Sequence, residues 1–236
     1  LGAQQWEADI LPPEHEVTAD PVTGARLIYV TSHEAEDTNL YFHQWSWLPD
    51  SSLLLFRSNR EGASVLFGYI EATGELARLQ PEGQPGLMGD VTASRHDNAV
   101  YLMRENQVLE WRITVHTPEG GATRVTVDER VAGKLPQVSG GLTGLNESSD
   151  GSMLVFGFTG SETSQLVWMD RATGEVRHQR PVPGPIQHVQ TSWDIPSLAM
   201  YATGHVDRAR PGTGDRWQQR MWLLDGAEGT PRKLYH

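Results

Sequence analysis

Four aspartate turns, at Asp50, Asp97, Asp150 and Asp194, punctuate this chain about 45 to 55 residues apart. Each opens onto the same succession of short apolar runs. The first unit, residues 45–79, reads WSWLPDSSLLLFRSNREGASVLFGYIEATGELARL. It offers a strand, a Pro-Asp-Ser turn, a strand at 53–56, a polar loop, a strand at 65–70, a Thr-Gly turn and a strand at 75–79. The order returns as AVYLMR, QVLEWRIT and TRVTVDE after Asp97, and as SMLVFGF and QLVWMDRATGEVRHQ after Asp150. It returns again as SLAMY, a long Arg-rich loop and RMWLLDGAEGTPRKL after Asp194. Aspartate suits such turns because its carboxylate bonds nearby backbone, and glycine because it accepts positive φ. No segment keeps a helical period, and 24 glycines and 14 prolines break the chain into strand-length pieces. Four-strand units at this spacing predict an all-β fold, a β-propeller with four blades at about 40–80, 88–130, 140–182 and 186–236. The fourfold recurrence weighs against a β-sandwich with chance spacing, and the absence of WD or GH dipeptides sets the chain apart from WD40 repeats. GGLTG, residues 140–144, reads as a linker between blades.

One strand stands outside the count. ARLIYVT, residues 25–31, is expected to close a ring by pairing with the last blade, yet the fourth unit already has its own final strand at 232–235. An open four-blade arc would expose strand edges at both ends. The expectation is therefore an incomplete single domain: the N-terminal portion of a longer propeller, or one that assembles with a further part.

Composition narrows the function. Of 236 residues, 38% are hydrophobic and 21% charged, an ordinary water-soluble balance. No apolar run approaches the roughly 18 residues a membrane span needs. A formal net charge of −11 argues against nucleic acid as a partner. There are no cysteines, which removes thiolate nucleophiles, thiolate zinc sites and disulfides. That composition is compatible with an oxidising compartment, so the expected location is periplasmic or extracellular, with the cytoplasm as the other option. No GxSxG elbow or phosphate-cradling loop occurs.

DPVTGARLIYVT, then NLYFHQWSWLPDSSLLLFRSNREG, then IQHVQTSW and RMWLLDG followed by RKL, run in this order along the chain. Together they resemble the oligogalacturonate lyases of pectin breakdown. The resemblance is strongest in the first unit and at the RMWL strand. It implies a seven-bladed propeller, on the order of 315 residues at about 45 per blade, and cleavage of short galacturonate oligomers by β-elimination with a manganese ion. It places the metal ligands in later blades and the basic histidine in a His-Glu-Phe-Trp stretch after RMWL. Neither is found in this sequence. In one departure, relatives carry a histidine just before the aromatic run, where this chain has Asp37, Thr38 and Asn39, with His33 upstream.

The chemistry explains the residue types. Elimination removes the proton at C5 of a uronate, beside a carboxylate whose charge opposes the loss. A cation held on that carboxylate lowers the barrier, and arginine grips it in two-pronged fashion without losing its charge. Arg220 matches the family's arginine in the RMWL motif and is the catalytic residue the resemblance carries over. Arg208, Arg210 and Arg216, with His205, form with it the dense cationic stretch of an acidic chain. They are candidates for binding an acidic oligosaccharide. His188, in IQHVQTSW, aligns with a histidine of the family, and His43, beside Tyr41 and Gln44, is placed at the start of the first strand of blade one. No two histidines show metal-ligand spacing, so no ligand is assigned within this chain. The rival reading is a non-catalytic propeller that binds a glycan or a protein. Trp47, Phe56, Phe156, Trp168 and Trp222 are expected between sheets.

Overall fold

The computed structural model describes residues 4–84, 87–203 and 221–234, and all their regular structure is β. Four strands come first: β1 (Gln4–Glu7), β2 (Asp9–Leu11), β3 (Glu16–Ala19) and β4 (Arg26–Tyr29). A first sheet follows, from β5 (Asp37–Asn39), β6 (Leu53–Ser58), β7 (Val65–Ile70) and β8 (Leu76–Arg78). The second holds β9 (Met88–Ala93), β10 (Ala99–Arg104), β11 (Gln107–His116) and β12 (Arg124–Lys134). The third holds β13 (Gly141–Glu147), β14 (Met153–Thr159), β15 (Thr163–Asp170) and β16 (Val176–Pro183). The fourth holds β17 (Ile186–Thr191), β18 (Leu198–Thr203), β19 (Met221–Asp225) and β20 (Arg232–Lys233). Within each sheet the strands lie in chain order, and the pairings resolved between neighbours are antiparallel. β2 adds outside β8, and β1 outside β12.

These strands are near-continuous apolar runs because both faces are covered. VLFGYI of β7 is buried throughout, as are the middles of β14 and β15. Contacts divide the chain into two units. One contains Leu1–Leu87, Thr92–Val100 and Glu110–Arg130; the other contains Met88–Val91, Tyr101–Leu109 and Val131–His236. In the first, Phe56, Val65, Phe67, Tyr69 and Leu76 form a cluster. In the second, Phe156, Val167 and Met169 pack with Tyr101, and Trp168 and Val182 pack with Ala199, Tyr201 and Leu224.

The aspartate turns are built in two ways. The carboxylates of Asp50 and Asp150 accept the N–H of Ser52 (2.9 Å) and Ser152 (3.0 Å). Burial raises both carboxyls, but those hydrogen bonds outweigh it and hold them below the usual range. At Asp97 and Asp194 a serine three or two residues earlier takes over: Ser94 Oγ and Ser192 Oγ accept the aspartates' own N–H groups, each at 3.1 Å.

Four expectations need correction. Strand 25–31 is represented by β4, which pairs with β3 in a hairpin within this chain. The segment 140–144 is not a linker, since Gly141 opens β13. WSW is not a continuous first strand: β5 pairs with the far end of β6, and only an isolated bridge joins Trp47 to Leu54. Trp47 is therefore 38% exposed, while Phe56, Phe156 and Trp168 are buried and Trp222 is partly so.

Candidate functional site

Of the expected site residues, His188 lies on the first strand of the fourth sheet, inside the second unit, where it repeats a feature of the first strand of the third. Pairing of β13 with β14 passes from Thr143 opposite Gly157 to Asn146 opposite Val155, so Gly144 and Leu145 together face Phe156. Pairing of β17 with β18 passes from Gln187 opposite Ala202 to Gln190 opposite Met200, so His188 and Val189 together face Tyr201. These are two copies of one bulge, in which the first of the two residues is left-handed. Gly144 has φ 58° and His188 φ 55°.

Glycine is compulsory in the first copy. A Cβ on Gly144 would stand 2.6 Å from Val189 Cβ and 2.8 Å from Val189 O. In the second copy a histidine holds the left-handed backbone. Histidine tolerates that region better than most side chains, yet such a conformation still costs on the order of 1 kcal/mol. Among the described non-glycine residues with positive φ, Ser51 and Glu105 lie in turns and His188 lies within a strand. Hydrogen bonds lock the bulges in place. Gly144 N–H donates to Asp90 Oδ2 and Asn146 Nδ2 to Val189 O, both at 2.7 Å, and Thr191 Oγ1 donates to Glu147 O at 2.7 Å. Opposite the His188 bulge, burial pushes the Tyr201 phenol up to about 12, so it stays neutral at physiological pH.

His43 belongs to the first unit, and its placement differs from expectation. It lies not at the start of a strand but in an excursion, residues 40–46, that interrupts the first strand opposite Leu55. The His43 ring meets Tyr41 edge-on at 4.7 Å and Phe42 at 5.1 Å. Tyr41, Phe42 and Trp45 are exposed, Phe42 by 71%. Beside them Gln44 is buried, and neither Nε2 nor Oε1 has a partner among the described residues. The sequence offered no cue to this orphaned amide, because a glutamine among aromatics reads as surface.

Arg220, His205, Arg208, Arg210 and Arg216 lie outside the described residues. Among those described, no group of three or more His, Cys, Asp or Glu could hold a metal ion. They therefore do not fit the manganese that the resemblance implies. The first unit also holds a cavity of about 510 Å³, where Asp9, Glu61 and Glu82 outnumber Arg78. Arg78 is already bonded to Glu61 at 2.5 and 2.6 Å. Its charge has the wrong sign for a uronate.

No protein-family model and no curated protein sequence matches the chain. Solved structures do. Oligogalacturonate lyase from Vibrio parahaemolyticus aligns over 97% of this chain and 61% of its own, at 17% identity and a TM-score of 0.68. TolB from Acinetobacter baumannii aligns over 99% of this chain and 52% of its own, at 16% identity and a TM-score of 0.54. The chain thus spans less than two thirds of either. An oligogalacturonate lyase in complex with manganese, at 15% identity, reaches a TM-score of 0.37, too low to bear on the site. With the all-β sheets described above, the first two likenesses establish a β-propeller fold.

Proposed function

We infer that the protein is a lyase acting on short uronate oligosaccharides, of the oligogalacturonate type, by β-elimination. Arg220 would grip the carboxylate next to the proton that leaves, and Arg208, Arg210, Arg216 and His205 would supply the local positive field that an acidic chain otherwise lacks. Each taken by itself, His188 in the second unit and His43 in the first are candidate substrate contacts. The exposed rings of Tyr41, Phe42 and Trp45 suit the apolar face of a sugar. One observation carries the reading beyond fold likeness: an imidazole is kept at His188, in a left-handed position where the neighbouring sheet uses glycine. Strain of this kind gathers at functional sites. A periplasmic or extracellular location accords with the absence of cysteine.

The second reading, a non-catalytic propeller that binds a glycan or a protein, has the TolB likeness in its favour. Elimination separates the two. Digalacturonate is incubated with the gene's longest product, with and without manganese, and the ultraviolet absorbance of the conjugated unsaturated product is followed. A rise carried by the protein supports the lyase. Saturable digalacturonate binding without a rise supports the binding module.

A further inference from the structure

Strand β8 reads LAR, and alternation puts Leu76 and Arg78 on one face of it. That face meets the core, since Leu76 belongs to the cluster with Val65, Phe67 and Tyr69. Arg78 stands opposite Phe67 on β7 and opposite Asp9 on β2. Strands therefore flank it on both sides, and its side chain is only 9% exposed. A guanidinium is thus carried to the rim of an apolar core, a place where charges persist when they are paired.

The pairing is incomplete. Glu61, from the loop joining β6 to β7, accepts from Arg78 Nε at 2.5 Å and from Nη2 at 2.6 Å in a two-pronged grip. The third nitrogen, Nη1, is also buried and has no acceptor among the described residues. Folded proteins seldom leave buried donors in that state, because the lost hydration is not returned.

Arg78 lines the cavity of about 510 Å³ already noted, which lies wholly within the first unit. Two segments at the same end of the sheet wall it: residues 61–64 between β6 and β7, and residues 80–84 after β8. Leu79 N–H, donating to Leu66 O at 3.0 Å, fixes their approach. With Glu61 engaged by Arg78, the remaining carboxylates of the lining are those of Asp9 and Glu82, both on exposed residues. Space is open beside Gly83, where a Cβ would meet nothing within 4 Å.

These features restrict what the cavity can hold. Three carboxylates against one guanidinium disfavour a simple anion. Among the described residues no group of three or more His, Cys, Asp or Glu could hold a metal ion, so the fitting cation is organic. The buried guanidinium needs an oxygen acceptor on the same molecule. The volume falls within the roughly 300–1,000 Å³ of small-ligand sites.

We propose that this cavity binds an α-aminoacyl group, its primary ammonium held by the carboxylates of Asp9 and Glu82 and its adjacent carbonyl oxygen accepting from the Arg78 guanidinium. The amino end of a peptide carries that group, and so does a free amino acid. Charge favours the peptide, whose amino end is a plain cation, whereas a free amino acid brings a carboxylate into an acidic cavity. No residue is shared with the proposed uronate site, so either reading can fail without the other.

Isothermal titration calorimetry of the 236-residue chain with L-alanyl-L-alanine amide at low salt tests the proposal, and saturable one-to-one binding is expected. Acetylating the amine of the probe should weaken binding by about 10-fold or more, and propylamine, which lacks the carbonyl, should be weaker by a similar factor. Free L-alanine separates the sources: affinity equal to that of the dipeptide amide assigns the site to amino acids, and affinity about 10-fold lower assigns it to peptides. Glu82→Gln, at an exposed position, should weaken the dipeptide amide by about fivefold and flatten its salt dependence. Arg78→Lys keeps a charge for Glu61 without the forked donors and should cost about 10-fold. Ala63→Trp puts a large side chain into the cavity wall from an exposed loop, so it should abolish binding and leave the thermal midpoint in place. That variant and Glu82→Gln decide the matter even where Arg78→Lys does not fold. No saturable binding of the dipeptide amide overturns the proposal. So does an acetylated probe or propylamine that binds as tightly, and so does unchanged binding in Ala63→Trp.

Discussion

The bulges of the third and fourth sheets share a backbone and serve different ends. In the third, Gly144 faces Phe156, and its missing side chain is what lets Val189 approach. In the fourth, His188 faces Tyr201 and carries an imidazole on the same left-handed turn of chain. Phenylalanine and glycine are the solution packing alone would choose. Tyrosine and histidine add polar groups, the phenol desolvated by burial and the imidazole carried on a left-handed backbone. The contrast separates a bulge whose glycine the packing demands from one whose histidine the packing does not demand, and each can be attacked in turn.

The largest effect is expected at the structural copy. Gly144→Ala puts a methyl against the Val189 backbone and forces alanine into the left-handed region. The cost should be about 3 kcal/mol or more, read as a fall in the urea midpoint. A loss under about 1 kcal/mol would mean the sheets separate readily there. Next comes the histidine copy. If His188 contacts a uronate, His188→Gly should cut the rate of digalacturonate elimination by about 10²-fold with folding intact. Arg220→Ala should cut it by at least as much, the scale of one preorganised charge contact. Arg220→Lys should recover only part, since lysine lacks the two-pronged grip. Wild-type rates in His188→Gly would return the histidine to a structural role.

A smaller effect separates Tyr201 from Phe156. The folded phenol titrates near 12 because it is buried, above the ordinary value of 10. Its contribution is therefore fully present below pH 10 and is lost as pH rises towards 12, where the unfolded chain ionises first. The slope should not exceed about 1.4 kcal/mol per pH unit. Tyr201→Phe should flatten stability between pH 10 and 12 relative to wild type. An unchanged slope would place the alkaline loss elsewhere.

The repeat was legible because turn chemistry and apolar runs are local: the strand at 65–70 was read from VLFGYI, and β14 from MLVFGF. What escaped was set by partners distant in sequence. QQWE and DIL are too short and polar to announce β1 and β2, which exist because β12 and β8 offer free edges. EVTA of β3 is exposed along its whole length, and four residues are too few for their alternation to mark a strand. His188 was singled out by resemblance, but its left-handed backbone comes from the pairing register and leaves no mark in IQHVQTSW. Gly144 looked like linker material because a glycine in a bulge and one in a loop are the same letter.

The smallest effect is the most direct test of the backbone itself. At an ordinary strand position alanine outranks glycine by about 0.5–1 kcal/mol, because glycine surrenders more freedom on folding. At a left-handed position the order inverts, since alanine bears a penalty of about 1 kcal/mol that glycine escapes. His188→Gly should therefore hold stability within about 1 kcal/mol of wild type, its relief of strain offset by the entropy of the unfolded glycine. His188→Ala keeps the strain and loses the imidazole's contacts, so it should fall below His188→Gly by about 1 kcal/mol. His188→Asn should sit near glycine, because asparagine also accepts this region. Urea unfolding of the three variants reads the order, provided the m-values agree. Alanine above glycine would mean that residue 188 is an ordinary strand residue, and the two bulges would no longer be copies of each other.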